Sequence, residues 1–296
     1  MVRHDLSGVV AVDKPAGATS RRVVDAIARA IGMRAVGHAG TLDPLATGVV
    51  VVCVGHATKL VDHVHDLPKR YEAGFLLGRS SPSDDLETPV EDHPDAPRPT
   101  RAEIEAALPA FRGAILQRPC DYSAVHVAGR RAYALARRGR AVVLEAKPVR
   151  IDQLDVTRFE HPRLGLAITC SSGTFVRAIG RDLAAALGTR AVMESLVRTA
   201  VGPFTQAGAL PLDAVTPAAV RDALLPAAAA VPGLPRATLD GPTLDAAVRG
   251  GLVALPPGVA EADPLAAFDA AGDLIGILRA HAAGGWRLRP NFRGLG

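Results

Sequence analysis

Cysteine is scarce: Cys53, Cys120 and Cys170 are the only three in 296 residues. An odd, widely spaced set among apolar or mixed neighbours argues against a disulfide framework and for reduced packing residues. Long apolar runs are also missing. The longest, Gly48 to Gly55, falls far short of the roughly 20 residues a membrane helix needs, and the opening Met-Val-Arg-His-Asp has no signal-peptide core, so a cytoplasmic protein without membrane contact is expected. Lysine is nearly absent, with Lys14, Lys59, Lys69 and Lys147 against 30 arginines. No Gly-x-Gly-x-x-Gly, no Lys-Ser/Thr phosphate-loop ending and no Gly-x-Ser-x-Gly elbow occurs, which removes the usual signals of nucleotide cofactors and serine hydrolases. Cys53, His56, His63 and His65 lie close in sequence, but their spacing matches no standard zinc site, and satisfied or exposed histidines are the expectation.

What is present describes a folded globular chain, 48% hydrophobic and 22% charged, long enough for one large domain or a large one with a small partner. Its formal charge of +4 hides segregation. Between Arg112 and Arg150 nine basic residues face Asp121 and Glu145, a local balance of +7, whereas residues 84 to 95 are acidic and residues 205 to 296 are near neutral. A polyanion would meet the middle of the chain first, and arginine forks suit phosphate. Coding composition accounts equally well for an arginine excess, and part of the cluster reads as the solvated face of a helix over Gly129 to Gly139 around Tyr133 and Leu135.

Val9 to Val12 reads as a buried strand, followed by a helix capped by Ser20 with Val23, Val24, Ile27 and Ile31 at helical spacing. Val49 to Val54 is a β-branched run buried on both faces, and Tyr71, Ala73, Phe75 and Leu77 alternate as a strand. Residues 79 to 99 read as a loop, and Thr100 with Glu103 has capping-box spacing. Strands follow across 141 to 157 and 165 to 171, then a helix from Thr174 to Leu187 closed by Gly188. Thr216-Pro217 opens another helix, Pro226 to Pro235 suits a linker, and the remainder forms a short helix and three strands. Strands and helices mix without a βαβ repeat. An α+β fold with a mixed, largely antiparallel central sheet flanked by helices and a small β-rich tail is expected.

The segment Val36-Gly-His-Ala-Gly-Thr-Leu-Asp-Pro-Leu-Ala-Thr-Gly48 puts one histidine and one aspartate in a glycine-rich loop leading into the buried valine strand. Gly37, Gly40 and Gly48 permit tight backbone paths and Pro44 biases Asp43 toward extended backbone. From these residues alone Asp43 is either a reactive carboxylate at the mouth of the sheet or the start of an Asp-Pro turn.

The ordered motifs resemble one family, the bacterial tRNA pseudouridine synthases of the TruB type. Gly8 to Ser20, with its Lys14-Pro15, resembles the family's opening strand, and Gly37 to Gly48 its catalytic loop. Lys69-Arg-Tyr71, Gln117 to Ala124, Gly129 to Arg137, Ser172-Gly-Thr-Phe-Val-Arg177 and Arg198-Thr-Ala-Val-Gly202 follow in order, so that residues 8 to 205 are covered. The resemblance implies a pseudouridine synthase-like catalytic domain over residues 1–230 and a small PUA-like RNA-binding domain over 231–296. It implies isomerisation of the T-loop uridine of tRNA (position 55 in tRNA numbering) to pseudouridine, with no metal or organic cofactor. The partner is tRNA, at its T-loop and stem; a monomer without an obligate protein partner is expected.

By the same resemblance Asp43 is the essential carboxylate, and Arg177 is the cation that pairs with it and favours its charged form. Tyr71 stacks on the extruded base, Leu196 is an apolar pocket residue, and His38 fills the space left by the flipped uridine. Arg130, Arg137 and Arg138 are candidates for phosphate contact. Three departures from the family pattern stand out. Phe175 replaces a common tyrosine beside the Asp43 and Arg177 pair, and Ser172 replaces a common lysine. Gly78 to Asp85 lacks a Thr-Asp-Thr pattern, which leaves the role of Asp85 open. The alternatives are a noncatalytic tRNA-folding chaperone, against which Asp43, Tyr71 and Arg177 argue, and a guide-RNA-dependent synthase, against which the short neutral tail argues.

Overall fold

The computed structural model describes residues 6–123, 126–127, 130–131 and 144–293. The chain opens with β1 (Gly8–Lys14), α1 (Ser20–Ile31), β2 (Val36–His38) and β3 (Thr47–Val54). Next come α2 (Val61–Asp66), β4 (Lys69–Leu77), the short pair β5 (Arg79–Ser80) and β6 (Glu91–Asp92), α3 (Arg101–Ala107) and β7 (Gly113–Gln117). The short strands β8 (His126–Val127) and β9 (Arg130–Arg131) pair with each other ahead of the long hairpin β10 (Lys147–Glu160) and β11 (Arg163–Cys170). Then follow α4 (Val176–Ala186), β12 (Ala191–Val201), β13 (Phe204–Thr205), β14 (Leu210–Pro211) and α5 (Pro217–Ala223). The tail contains β15 (Arg236–Thr238), α6 (Gly241–Val248), β16 (Leu265–Phe268), β17 (Leu274–Ala280) and β18 (Trp286–Asn291).

Ten strands form one sheet in the order β14-β1-β3-β12-β4-β11-β10-β7, with β13 on β12 and β2 on β3. The pairs β1–β14 and β3–β12 are parallel and the others antiparallel. This is the mixed, largely antiparallel α+β sheet that the sequence predicts. A second sheet, β15-β16-β17-β18, makes the β-rich tail.

The valine run is buried on both faces because each face has its own cover. Val50, Val52 and Val54 pack with Val23 and Ile27 of α1, whereas Val49, Val51 and Cys53 join Phe204 and the tail residues Ala266, Phe268 and Ile277. The expected linker takes part in this second core. Ala227–Ala230 is a 3-10 turn, Ala230 and Val231 are buried, and Leu225 exchanges two 2.9 Å backbone hydrogen bonds with Val9. Its alanines are small enough to pack closely, so the Ala/Pro composition marks a compact connection instead of a flexible one.

Local signals held where their partners are local. Thr100 and Glu103 form the reciprocal capping box of α3, and Thr216 caps α5. Two expectations shift. Thr19 caps α1, because the Ser20 hydroxyl is engaged elsewhere, and the α4 helix begins at Val176 after Phe175. Of the helix expected over Gly129 to Gly139, residues 130 and 131 are instead paired as β9 and the rest lies outside the described residues.

Strand register assembles the site. Across the adjacent strands β3, β12 and β4, Gly48 faces Arg198 and Arg198 faces Tyr71, while Leu196 faces Ala73.

Candidate active site

The loop between β2 and β3 is fastened on both sides of Asp43. The buried Lys14 ammonium donates to the carbonyls of Ala18 (2.9 Å), Ala46 (2.5 Å), Pro15 (3.1 Å) and Pro44 (3.4 Å). The Ser20 hydroxyl accepts from Leu42 N at 2.8 Å and donates to Leu42 O at 3.2 Å. The guanidinium of Arg198, 2% exposed, donates to Val49 O (2.7 Å), Thr41 O (3.2 Å) and Gly40 O (3.3 Å). Buried carbonyls need donors, and these three side chains supply them, so Asp43 is presented from a fixed backbone.

Across the gap, α4 presents Arg177, which is buried and held from four sides. It donates to the carbonyls of Ser83 (2.7 Å) and Tyr122 (2.9 Å), and its two terminal nitrogens lie 3.3 Å from carboxylate oxygens of Asp43 and Asp85. Asp85 is buried and accepts from Ser83 Oγ (2.6 Å) and Glu87 N (2.9 Å). The residue whose role the sequence leaves open is therefore a second carboxylate on the same arginine. The start of α4 is itself clamped by the buried Gln117, whose amide accepts from Phe175 N at 2.8 Å and donates to Phe175 O at 3.1 Å.

Asp43, Arg177, Tyr71, Leu196 and Phe175 line one cavity of about 520 Å³, together with Arg198, Lys69, His65 and Ser172. The volume falls within the range of pockets that hold small molecules. Tyr71 is partly buried and stands opposite Arg198 across β4 and β12; burial pushes its phenol pKa up, with Arg198 acting in the opposite sense. Burial likewise pushes the Lys14 and Lys69 ammonium groups down to about 8. A second cleft of about 560 Å³, between residues 92–96 and the turn after α4, contains none of these groups.

Of the other sequence candidates, His38 stands on β2 ahead of the loop and is not among the residues lining the cavity. Its Nδ1 is buried without a hydrogen-bond partner, and burial lowers its pKa. Arg130 is described only as part of β9, and Arg137 and Arg138 lie outside the described residues. Within the basic segment, Arg112, Arg118 and Arg150 are each paired with a nearby aspartate, Asp155, Asp121 and Asp152. Those three charges are partly neutralised at the surface. Among the described residues no group of three or more His, Cys, Asp or Glu side chains is disposed to hold a metal ion, and no helix is long and apolar enough to cross a membrane. The three cysteines are free and buried.

Lys14, Ser20, Gln117 and Arg198 escape residue-level reading as site elements, because each acts on backbone far away in sequence. The available signal is a charged residue within an apolar strand, as at Lys14 after Val9-Val-Ala-Val12.

Comparison with known proteins identifies the family. Residues 28–176 match the family described as TruB family pseudouridylate synthase (N terminal domain). The chain is 42% identical over 256 residues to tRNA pseudouridine synthase B of Gluconacetobacter diazotrophicus, covering 84% of this chain and 83% of that protein. It is 41% identical over 277 residues to tRNA pseudouridine synthase B of Mycobacteroides abscessus, covering 92% of each. In fold it is similar to a chain in the crystal structure of a Cbf5-Nop10-Gar1 complex, with a TM-score of 0.74 at 23% identity over 97% of this chain and 85% of that one. On these grounds the chain belongs to the TruB family of pseudouridylate synthases.

Proposed function

We propose that the chain isomerises the T-loop uridine of tRNA to pseudouridine, with Asp43 as the essential carboxylate. Uridine-to-pseudouridine isomerisation in tRNA accords with the family and the names of its relatives. The observation that carries the assignment of residues is the Asp43 carboxylate on the wall of a cavity, 3.3 Å from the buried Arg177 and in the same cavity as Tyr71. The reaction breaks the C1′–N1 glycosidic bond, turns the detached uracil and joins C1′ to C5, which loses a proton while N1 gains one. It requires an anionic oxygen beside the sugar and walls that retain the free base. Asp43 supplies the first. Tyr71, Leu196 and Phe175 supply walls, and the Tyr71 hydroxyl, which lines the same cavity, is assigned to handling the C5 proton.

A uridine within a folded loop must be extruded, at a cost of a few kcal/mol. His38 lies outside the cavity lining, which suits a ring that occupies the vacancy in the RNA. Arg130, Arg137 and Arg138 are assigned to phosphate contact. The catalytic unit is taken as residues 1–230 and the PUA-like unit as 231–296, working in the cytoplasm as a monomer without a guide RNA; the relatives named tRNA pseudouridine synthase B support the stand-alone form. The test is pseudouridine mapping in T-loop RNA incubated with purified protein and no guide. Modification of that uridine is expected, and Asp43→Asn should abolish it while RNA binding persists; near wild-type turnover in that variant would remove Asp43 from the role.

A further inference from the structure

We propose that His65, held at the mouth of the cavity by Ser172, binds a backbone phosphate of the RNA strand whose uridine enters the cavity. This rests on the assignment of the cavity to a uridine in RNA.

A nucleotide with its base in the cavity stays joined to its neighbours through phosphodiesters at the mouth, so an anion must lie at the rim. The cations deeper in the cavity are already engaged. Arg177 is shared by two carboxylates and two carbonyls, Arg198 by three carbonyls, and the buried Lys69 ammonium donates to the carbonyl of His65. His65 differs from them. It lies in the last turn of α2, lines the cavity and leaves its side chain 50% exposed. It also sits against the Asp43 loop, since a Cβ on Gly40 would stand 3.9 Å from His65 Cδ2.

Ser172 Oγ lies 3.0 Å from Nδ1 and 3.1 Å from Nε2 of that ring, a contact spanning from α2 to the turn before α4. The hydroxyl orients the ring, and an imidazolium with two N–H groups keeps a donor for an outside oxygen. The rim is open here, because a Cβ on Gly173 would meet nothing within 4 Å. Charged groups near the ring are Asp62 and Asp66 on its own helix, with Asp66 Oδ1 3.7 Å from Nδ1, and Lys69 on β4. Asp43, Glu87, Arg177 and Arg198 share the cavity wall. A doubly protonated imidazole offers phosphate a charge-assisted hydrogen bond and a singly protonated one does not, so the contact responds to pH.

The test is equilibrium binding of T-loop stem RNA to the Asp43→Asn protein from about pH 5.5 to 8.5. Affinity should fall about three- to fivefold as pH rises, the scale of a half-exposed charge pair. Adding His65→Gln should leave affinity at the weaker value throughout and lower the salt slope at the acid end by about 0.7 to 0.9. His65→Lys should hold the tighter value at every pH. With Asp43 intact, the His65→Gln loss should appear in KM more than in kcat. An undiminished pH response in His65→Gln, or His65→Lys binding as weakly as His65→Gln, overturns the proposal. Absence of pseudouridine formation with the pH response present breaks the functional assignment alone, because binding is read without turnover.

Discussion

Replacing Asp43 or Asp85 by asparagine removes one negative charge from the same guanidinium at the same 3.3 Å distance. The consequences should differ because the Asp85 side chain is 2% exposed and that of Asp43 is 38% exposed. Removing one partner from a buried pair costs about 3–5 kcal/mol. Asp85→Asn belongs at about 3 kcal/mol, since its remaining oxygen can still accept from Ser83 Oγ and Glu87 N. Water screens the Asp43 pair, so its loss should cost about 0.2–1 kcal/mol. At about 2 °C per kcal/mol for a chain of this size, Tm should fall by about 6 °C in the first variant and by under about 2 °C in the second. Turnover should run the other way. Asp43→Asn removes the carboxylate proposed to act on the sugar, whereas Asp85→Asn only loosens the arginine behind it and should lower kcat on the order of tenfold. Thermal unfolding and pseudouridine formation on both variants decide the matter. Equal losses of Tm, or an active Asp43→Asn, would refute the division of one arginine between stability and chemistry.

Gly48→Ala should lose at least about 3 kcal/mol and most activity, since φ is +101° there and the new Cβ would lie 2.3 Å from Arg198 O across the β3–β12 pair. A Tm within about 2 °C of wild type would contradict this. Gln117→Leu leaves the Phe175 N–H without its partner, while Phe175 O keeps the Ile179 amide, at about 1–3 kcal/mol. Faster hydrogen exchange at the Phe175 amide and a fall in kcat exceeding any rise in KM are the expected readouts. Burial holds Lys14 and Lys69 at about 8 in the folded chain against 10.5 ordinarily. The unfolded chain therefore binds more protons between those values, and unfolding free energy should rise with pH there by up to about 1.4 kcal/mol per pH unit for each lysine. Urea titrations at about pH 8 and 9.5 should lose part of that slope in Lys14→Met.

Features set by near neighbours were legible. The capping box of Thr100 and Glu103 spans three residues, and the valine run of β3 needs only its own composition to read as doubly buried. The Gly37 to Gly48 loop likewise marks itself by glycine, histidine and aspartate. Ser20 shows the limit of such reading. It looks like a cap, but its hydroxyl bonds to Leu42, 22 residues away, and Thr19 takes the cap. Residues 226 to 235 look like a linker until the faces of β1 and β3 behind them are known.

The sequence by itself determined that the chain is an α+β protein and which family's motifs it carries, because composition, periodicity and motif order are properties of neighbours along the chain. Only the tertiary structure decided that Asp85 shares Arg177 with Asp43, that Lys14 and Arg198 fasten the Asp43 loop, and that His65 meets Ser172 at the mouth of the cavity. Those contacts join residues from 30 to 158 positions apart. Closing such distances depends on the register of β3, β12 and β4 and on the docking of α4, and no local pattern specifies where a buried charge finds its carbonyls.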